Sequence, residues 1–191
     1  MPNPDPDLRG RLLDTATVLF EERGFAATGV DAIAAQAGVR SMSLYRTWGS
    51  KDALIVAVLK RWSTQWQQRI TTGLPAGPTD GPGRLLQLWD ALAEWFAAED
   101  FRGSLIANAA VELRARPEHP AHQVVAAHRA WVHQLLVQLA AAGGLEDPSR
   151  AAEQLHLLVE GAIVRAVSSQ RTTAAASGRA LTVALLAAGG E

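Results

Sequence analysis

No cysteine occurs among the 191 residues, which excludes a disulfide framework, thiolate-ligated zinc, an iron–sulfur cluster and a cysteine nucleophile. A reducing, cytoplasmic setting is therefore expected. Long hydrophobic runs are missing as well, because charges interrupt every apolar stretch before the ~18 to 20 residues that a membrane span requires. The opening MPNPDPDLRG has neither the basic nor the apolar region of a signal peptide, so a soluble, unprocessed chain without a membrane partner is the expectation. Lysine is nearly absent, two residues against sixteen arginines, and the formal net charge is −1. That balance lacks the basic excess with which nucleic-acid binders normally neutralise phosphates. Residues 1–62 hold eight basic groups and seven acidic ones, so global charge alone decides nothing.

Catalytic motifs are missing too. His119 and His122 straddle Pro120, and His128 and His133 are five apart, so neither pair has the i, i+4 spacing that places two metal ligands on one helical face. No HExxH, GxSxG, phosphate-loop or dinucleotide glycine motif occurs. Neither an enzyme nor a metal or cofactor is expected.

What is present is helical period almost throughout. Leu12, Thr15/Ala16 and Leu19 recur at three and four residues between Leu8 and Arg23, and Gly24 follows where a helix takes a left-handed stop. Val30, Ile33, Ala34 and Ala37 give a short second helix ending at Gly38, and Ser41 to Trp48 a short third. Ser50 caps a fourth that runs to about Thr71, with Leu54, Ile55, Val58, Leu59 and Trp62 as its apolar side. GLPAGPTDGPG, residues 73–83, is dense in Gly and Pro and predicts a loop or hinge between two parts. Five more helices are expected at roughly 84–98, 102–115, 120–142, 148–171 and 175–189. With no alternating strand pattern and no repeat, the fold class is all-α with about nine helices.

The stretch AIAAQAGVRSMSLYRTW has helix-turn-helix spacing: a short helix, a Gly that permits a tight turn, then a second helix whose N-terminal half can project into a major groove ~12 Å wide. Around it, LLDTATVLFEERGFAATGVDAIAAQAGVRSMSLYRTWGSKDALIVAVL is similar, in order and without a gap, to the DNA-binding domain of the TetR family of bacterial one-component repressors. The resemblance implies a three-helix DNA-binding domain over residues 1–50, a connecting helix at about 51–71, and a helical ligand-binding and dimerisation domain over 72–191. It departs from the family pattern at Gly29, where a second Thr often stands, and at Ser41 and Met42 of the recognition helix; base preference, not fold, is affected.

Roles follow for individual residues. Arg40, Ser41, Met42 and Ser43 open the third helix, where side chains reach base edges; Arg40 or Arg46 suits guanine, and Met42 suits a thymine methyl. Ser41 has helix capping as an equal alternative. Thr28, Tyr45, Thr47 and Lys51 are expected on phosphates, and a phosphate would explain a lysine in the first turn of the fourth helix. Leu44 and Trp48 are expected to pack rather than read DNA. Arg9 and Arg11 are expected to be solvated, with backbone or minor-groove contact as the alternative.

After the hinge the likeness weakens, but FRGSLIANAAVEL and EQLHLLVEGAIVRA still resemble helices of a TetR-type regulatory domain, which implies a small-molecule effector and a homodimer. Pocket candidates are the polar or aromatic residues on apolar faces: Trp89, Trp95, Asn108, Glu112, His128 and Trp131, with ordinary core packing or an Asn108–Glu112 pair as the blander readings. The helix from 148 to 171 is apolar nearly all round and must bury two faces; Leu155, Val159, Ala162 and Ile163, with Leu181, Ala184 and Leu185 of the last helix, are the dimer candidates. The reading is a DNA-binding regulator, a repressor released from a palindromic double-stranded operator by a small molecule. Its rivals are a DNA-binding dimer with no effector and a helical small-molecule binder with vestigial DNA binding.

Overall fold

The computed structural model describes residues 6–74, 81–168 and 171–188. Among these the chain forms nine helices and no strand: α1 (Pro6–Ala27), α2 (Val30–Gln36), α3 (Ser41–Trp48), α4 (Lys51–Thr72), α5 (Gly81–Ala97), α6 (Leu105–Glu112), α7 (Ala121–Ala142), α8 (Pro148–Ser168) and α9 (Arg171–Ala188). The all-α class and the helix count agree with the sequence.

Helix boundaries follow local chemistry. Gly38 adopts φ 71°, and the amides of Gly38 and Val39 donate to Ala35 O and Ala34 O, closing α2 in a Schellman motif. Gly144, at φ 79°, closes α7 in the same way through Ala141 O and Ala140 O. Hydroxyl and carboxylate oxygens cap three N-termini: Ser50 accepts from Ala53 N, Ser104 from Ala107 N, and Asp147 from Arg150 N just ahead of α8. Pro148 is the first residue of α8, where its missing N–H costs nothing.

The chain divides into two compact units, the first comprising residues 1–64 and 104–128, the second 65–103 and 129–191. This differs from a division at residue 72. The Gly/Pro segment 73–83 does not separate the units, since both of its flanks belong to the second. Residues 75–80 of that segment lie outside the described residues, and Gly81-Pro82-Gly83, expected in the loop, begin α5. Proline is tolerated there because a first-turn amide has no intrahelical acceptor to lose.

The first unit is built on Leu12, Leu19, Phe20 and Phe25 of α1, Ile33 of α2, Leu44 of α3, Leu54, Ile55, Val58 and Leu59 of α4, and Leu105, Ile106 and Ala109 of α6. Leu12 and Leu19, seven apart, and the pairs Leu54–Val58 and Ile55–Leu59, four apart, give α1 and α4 each a buried stripe. Arg61 of α4 ties α1 along its flank, donating to Asp14 at 2.5 Å and to Thr17 Oγ1 at 2.7 Å. His128 is buried in this unit, 2.8 Å from Ser63 Oγ through Nδ1.

The second unit is rich in aromatics. Trp95 packs edge-on against Phe101 at 5.0 Å and against Trp66 at 6.1 Å, and Trp66 meets Trp131 at 6.0 Å. Trp89 of α5 is fully buried against α9, its Nε1 donating to Thr182 Oγ1 at 2.8 Å. The ring lies where Gly178 has no side chain; a Cβ there would stand 2.1 Å from Trp89. Gly178→Ala is expected to overpack this contact and destabilise the chain by roughly 1–3 kcal/mol, read as a lower urea midpoint. A midpoint equal to wild type would mean that α9 does not seat on Trp89.

Candidate nucleic-acid interface

The α2–α3 pair has the geometry of a helix-turn-helix. Leu44 is fully buried and points α3 into the first unit, while Arg40, Met42, Tyr45 and Arg46 are exposed, Met42 at 74% and Tyr45 at 47%. An apolar side chain so open on a short helix between two arginines, neither of which joins an ion pair among the described residues, is a surface built for a partner. Ser43 is half-buried on the same helix.

Other expected contact residues are engaged within the unit. Ser41 Oγ donates to Asp31 Oδ1, clipping the start of α3 to α2, and it makes no capping bond. Thr47 Oγ1 donates to Ser43 O at 2.8 Å, so its only proton is directed along its own helix. Thr28, expected on a phosphate, is buried and instead serves a break in α1, and Lys51 reaches the same break. Gly24 leaves helical geometry at φ 80°, ψ 170°, which strips the neighbouring backbone of its helical partners. Side chains restore them: buried Thr28 donates to Gly24 O at 2.7 Å, Lys51 Nζ donates to Phe25 O at 2.6 Å, and Glu112 Oε2 accepts from Ala26 N at 2.9 Å. Burial of the ammonium lowers the Lys51 pKa, partly opposed by the Asp52 carboxylate. The carbonyl of Phe25 thus gives a lysine at the start of α4 an internal partner.

A second polar latch joins α4 to the segment between α6 and α7. Asp52 takes both arms of Arg116, at 2.5 and 3.2 Å, and His119 Nε2 lies 3.1 Å from its Oδ1. The Arg116 hydrogen bonds hold the Asp52 carboxyl below its usual range.

Comparison with known proteins fits this arrangement. Residues 12–58 match the family described as bacterial regulatory proteins, tetR family. A chain of Streptomyces avermitilis, described as a TetR transcriptional regulator, is 30% identical over 95% of this chain and 97% of that one, with a TM-score of 0.80. The chain belongs to the TetR family of transcriptional regulators. A TetR-family regulator from Streptomyces coelicolor is similar over 98% of both chains, at 28% identity and a TM-score of 0.88. The HTH-type transcriptional regulator YjdC of Escherichia coli K12 is 27% identical over 160 residues, 82% of each chain. As a member of the family the protein is a regulator of transcription and not an enzyme. No helix among the described residues is long and apolar enough to cross a membrane.

In this TetR-family chain the six pocket candidates divide between the two units. Asn108, Glu112 and His128 fall in the first unit and Trp89, Trp95 and Trp131 in the second. Asn108 is exposed, Glu112 is bound to Ala26 N, and His128 is the satisfied core histidine that its apolar stripe allowed. The three tryptophans pack against other aromatics or, for Trp89, against α9.

The dimer candidates divide as well. Leu155, Val159, Ala162 and Ile163 are buried inside the second unit and are not free to meet another chain. The opposite face of α8 is the open one, with Leu157 at 72% and Val164 at 64% exposure. On α9, Leu181 and Ala184 are exposed and Leu185 is half-buried.

The depressed Asp52 carboxyl has a signed consequence. Its contribution to stability is present above the unfolded value near 4 and is lost as pH falls through the lower folded value. Wild type should therefore be more stable than Asp52→Asn at neutral pH, and the gap should close on acidification below about pH 4, followed by urea unfolding at each pH. A gap independent of pH would show that the Arg116 latch adds nothing.

Proposed function

We propose that this chain is a homodimeric repressor whose α3 helices enter successive major grooves of a palindromic operator, and that a small molecule releases it. The observation that carries the DNA reading is the exposed face of α3. Arg40 and Arg46 supply forked donors for guanine O6 and N7, Met42 an apolar contact for a thymine methyl, Ser43 a further hydroxyl beside them and Tyr45 a phenol for a backbone phosphate. Ser41, Thr47 and Thr28 are left out of the contact set because each hydroxyl proton has an internal acceptor, whereas Lys51 spends one of its three ammonium N–H groups on Phe25 O and stays in the set as a phosphate contact. Two such heads about one helical turn apart, ~34 Å, require a two-fold partner. The open apolar face of Leu157, Val164 and Leu181, with Gly161 between them, supports a second copy as that partner.

Release requires that the effector bind the non-operator state more tightly, since equal affinity for both states shifts nothing. An effector-free DNA-binding dimer is the second reading, and it is favoured by the internal partners of Trp89, Trp95, Trp131, Glu112 and His128. A rise in melting temperature with one member of a metabolite panel, coupled to loss of DNA binding, selects the first; indifference to the whole panel selects the second.

Selecting bound duplexes from a random pool tests DNA binding, symmetry and spacing together. The expected product is an inverted repeat, and a pool that does not enrich sinks the regulator's operator reading. On the selected duplex, Arg46→Ala should cost about 1–3 kcal/mol at one position, while Tyr45→Phe should weaken all sequences alike. Leu157→Glu should convert the dimer to monomer in sedimentation and abolish two-site binding. A dimer unchanged by that substitution moves the interface elsewhere.

A further inference from the structure

Arg9 lies near the start of α1, 38 residues before Thr47 in the last turn of the recognition helix, yet the two meet. Its guanidinium carbon stands 3.7 Å from the centroid of the Trp48 ring, and NH1 donates to Thr47 O at 3.2 Å. Both partners are in the last turn of α3. We propose that Arg9 is a positioning residue for DNA recognition: it fixes the C-terminal turn of α3 to α1 and thereby holds the angle at which Arg40, Met42, Tyr45 and Arg46 are presented. This inference rests on the DNA-binding reading above.

Two turns of helix are too short to be stable alone, so α3 must be held from outside. Its first turn is clipped by Ser41 to Asp31 and by the Gly38 turn, and its middle is anchored by Leu44. At the other end the chain passes into Gly49 at φ 78°, a residue with wide conformational freedom. Beside that end an open groove of about 330 Å³ runs along Ala53, Val56, Ala57 and Lys60. Trp48 packs on the core from one side and the Gly49 amide closes the turn on Tyr45 O; the Arg9 stack adds the tie from α1. The chemistry suits arginine in particular: a planar guanidinium stacks on indole while donating in its own plane, and a cation is favourable at the carbonyl end of a helix. Lysine can do one of these things at a time.

Arg9 is exposed, so the rival role is direct contact with a DNA phosphate. The two roles separate cleanly. A phosphate contact weakens every sequence alike and lowers the salt slope by about one, whereas a positioning residue weakens the specific site and leaves the slope alone.

The test compares wild type, Arg9→Ala, Arg9→Gln and Arg9→Lys on the duplex selected from the random pool and on a scrambled duplex of equal length, across salt. Amide exchange of residues 45–49 is followed without DNA. Arg9→Ala should lose about tenfold in affinity for the selected duplex, the equivalent of one exposed cation–π contact and one charged hydrogen bond. Affinity for the scrambled duplex should change less than about twofold with the slope unchanged, and α3 amides should exchange several-fold faster; Arg9→Gln should behave like Ala and Arg9→Lys should recover only part. Equal losses on both duplexes with a slope lower by one overturn the proposal in favour of a phosphate contact. Unchanged affinity and exchange overturn it outright. Should wild type select no duplex, the DNA reading fails, while the exchange of residues 45–49 still judges the Arg9 tie on its own.

Discussion

The first unit depends on a break in its longest helix. At Gly24, α1 abandons helical geometry and strands the backbone groups of Gly24, Phe25 and Ala26 in a packed setting, where an unmet donor or acceptor costs about 1–3 kcal/mol. Thr28, Lys51 and Glu112 answer them one by one. Because these three side chains come from the approach to α2, from the start of α4 and from the end of α6, the same junction that repairs α1 also fixes where the other elements begin. Gly24 suits the site twice over, by its positive φ and because Glu112 Oε1 stands 2.7 Å from where a Cβ would be. The Asp52–Arg116 latch then holds the following segment against the same end of α4.

This explains which parts of the site the sequence reveals. The helix-turn-helix is legible because its determinants are local: apolar spacing in α2 and α3, Gly38 at the turn, and polar residues where α3 begins. Exposure of Arg40, Met42, Tyr45 and Arg46 follows from the same period once Leu44 is placed inside. Long-range hydrogen bonds are not legible in that way. Thr28 and Lys51 look like free polar groups on a DNA-facing surface until the carbonyls beside Gly24 are seen, and Glu112 looks like a pocket residue until Ala26 N is found 86 residues away. Helix ends show the same contrast, since Ser50, Ser104 and Asp147 cap from within their own turns, whereas the start of α5 at Gly81-Pro82-Gly83 defeats a rule that reads Gly and Pro only as breakers.

The nearly neutral charge is resolved by the distribution of ion pairs. Asp7 is paired with Arg11, Asp14 with Arg61 and Asp52 with Arg116, while Asp31 accepts from Ser41 and Glu112 from a backbone amide. Those carboxylates are already answered within a few ångströms. Arg40 and Arg46 have no such partner among the described residues, and at physiological salt, where the field of a distant charge fades within ~8 Å, a phosphate responds to the local cations and not to the sum over the chain. A net charge of −1 therefore limits non-specific attraction without opposing a specific complex.

Helix α8 shows how far a hydrophobic pattern can carry an argument and where it stops. Leu155, Val159, Ala162 and Ile163 lie on one side, and Leu157, Gly161 and Val164, offset by two residues and so about 200° around the axis, lie on the other. An apolar period on both sides predicts that two surfaces are buried, but it does not say which belongs to the chain's own core. Neighbours decide that: Leu155, Val159, Ala162 and Ile163 are covered within the second unit, while Leu157 and Val164 stay exposed. In the proposed dimer the open face is left for a partner. Burying Leu157, Val164 and Leu181 contributes about 1.5–3 kcal/mol for each side chain, doubled by two-fold symmetry, against an association cost of roughly 4–15 kcal/mol. In the proposed dimer that margin is modest, so the second copy must bring the flanking parts of α8 and α9 together as well.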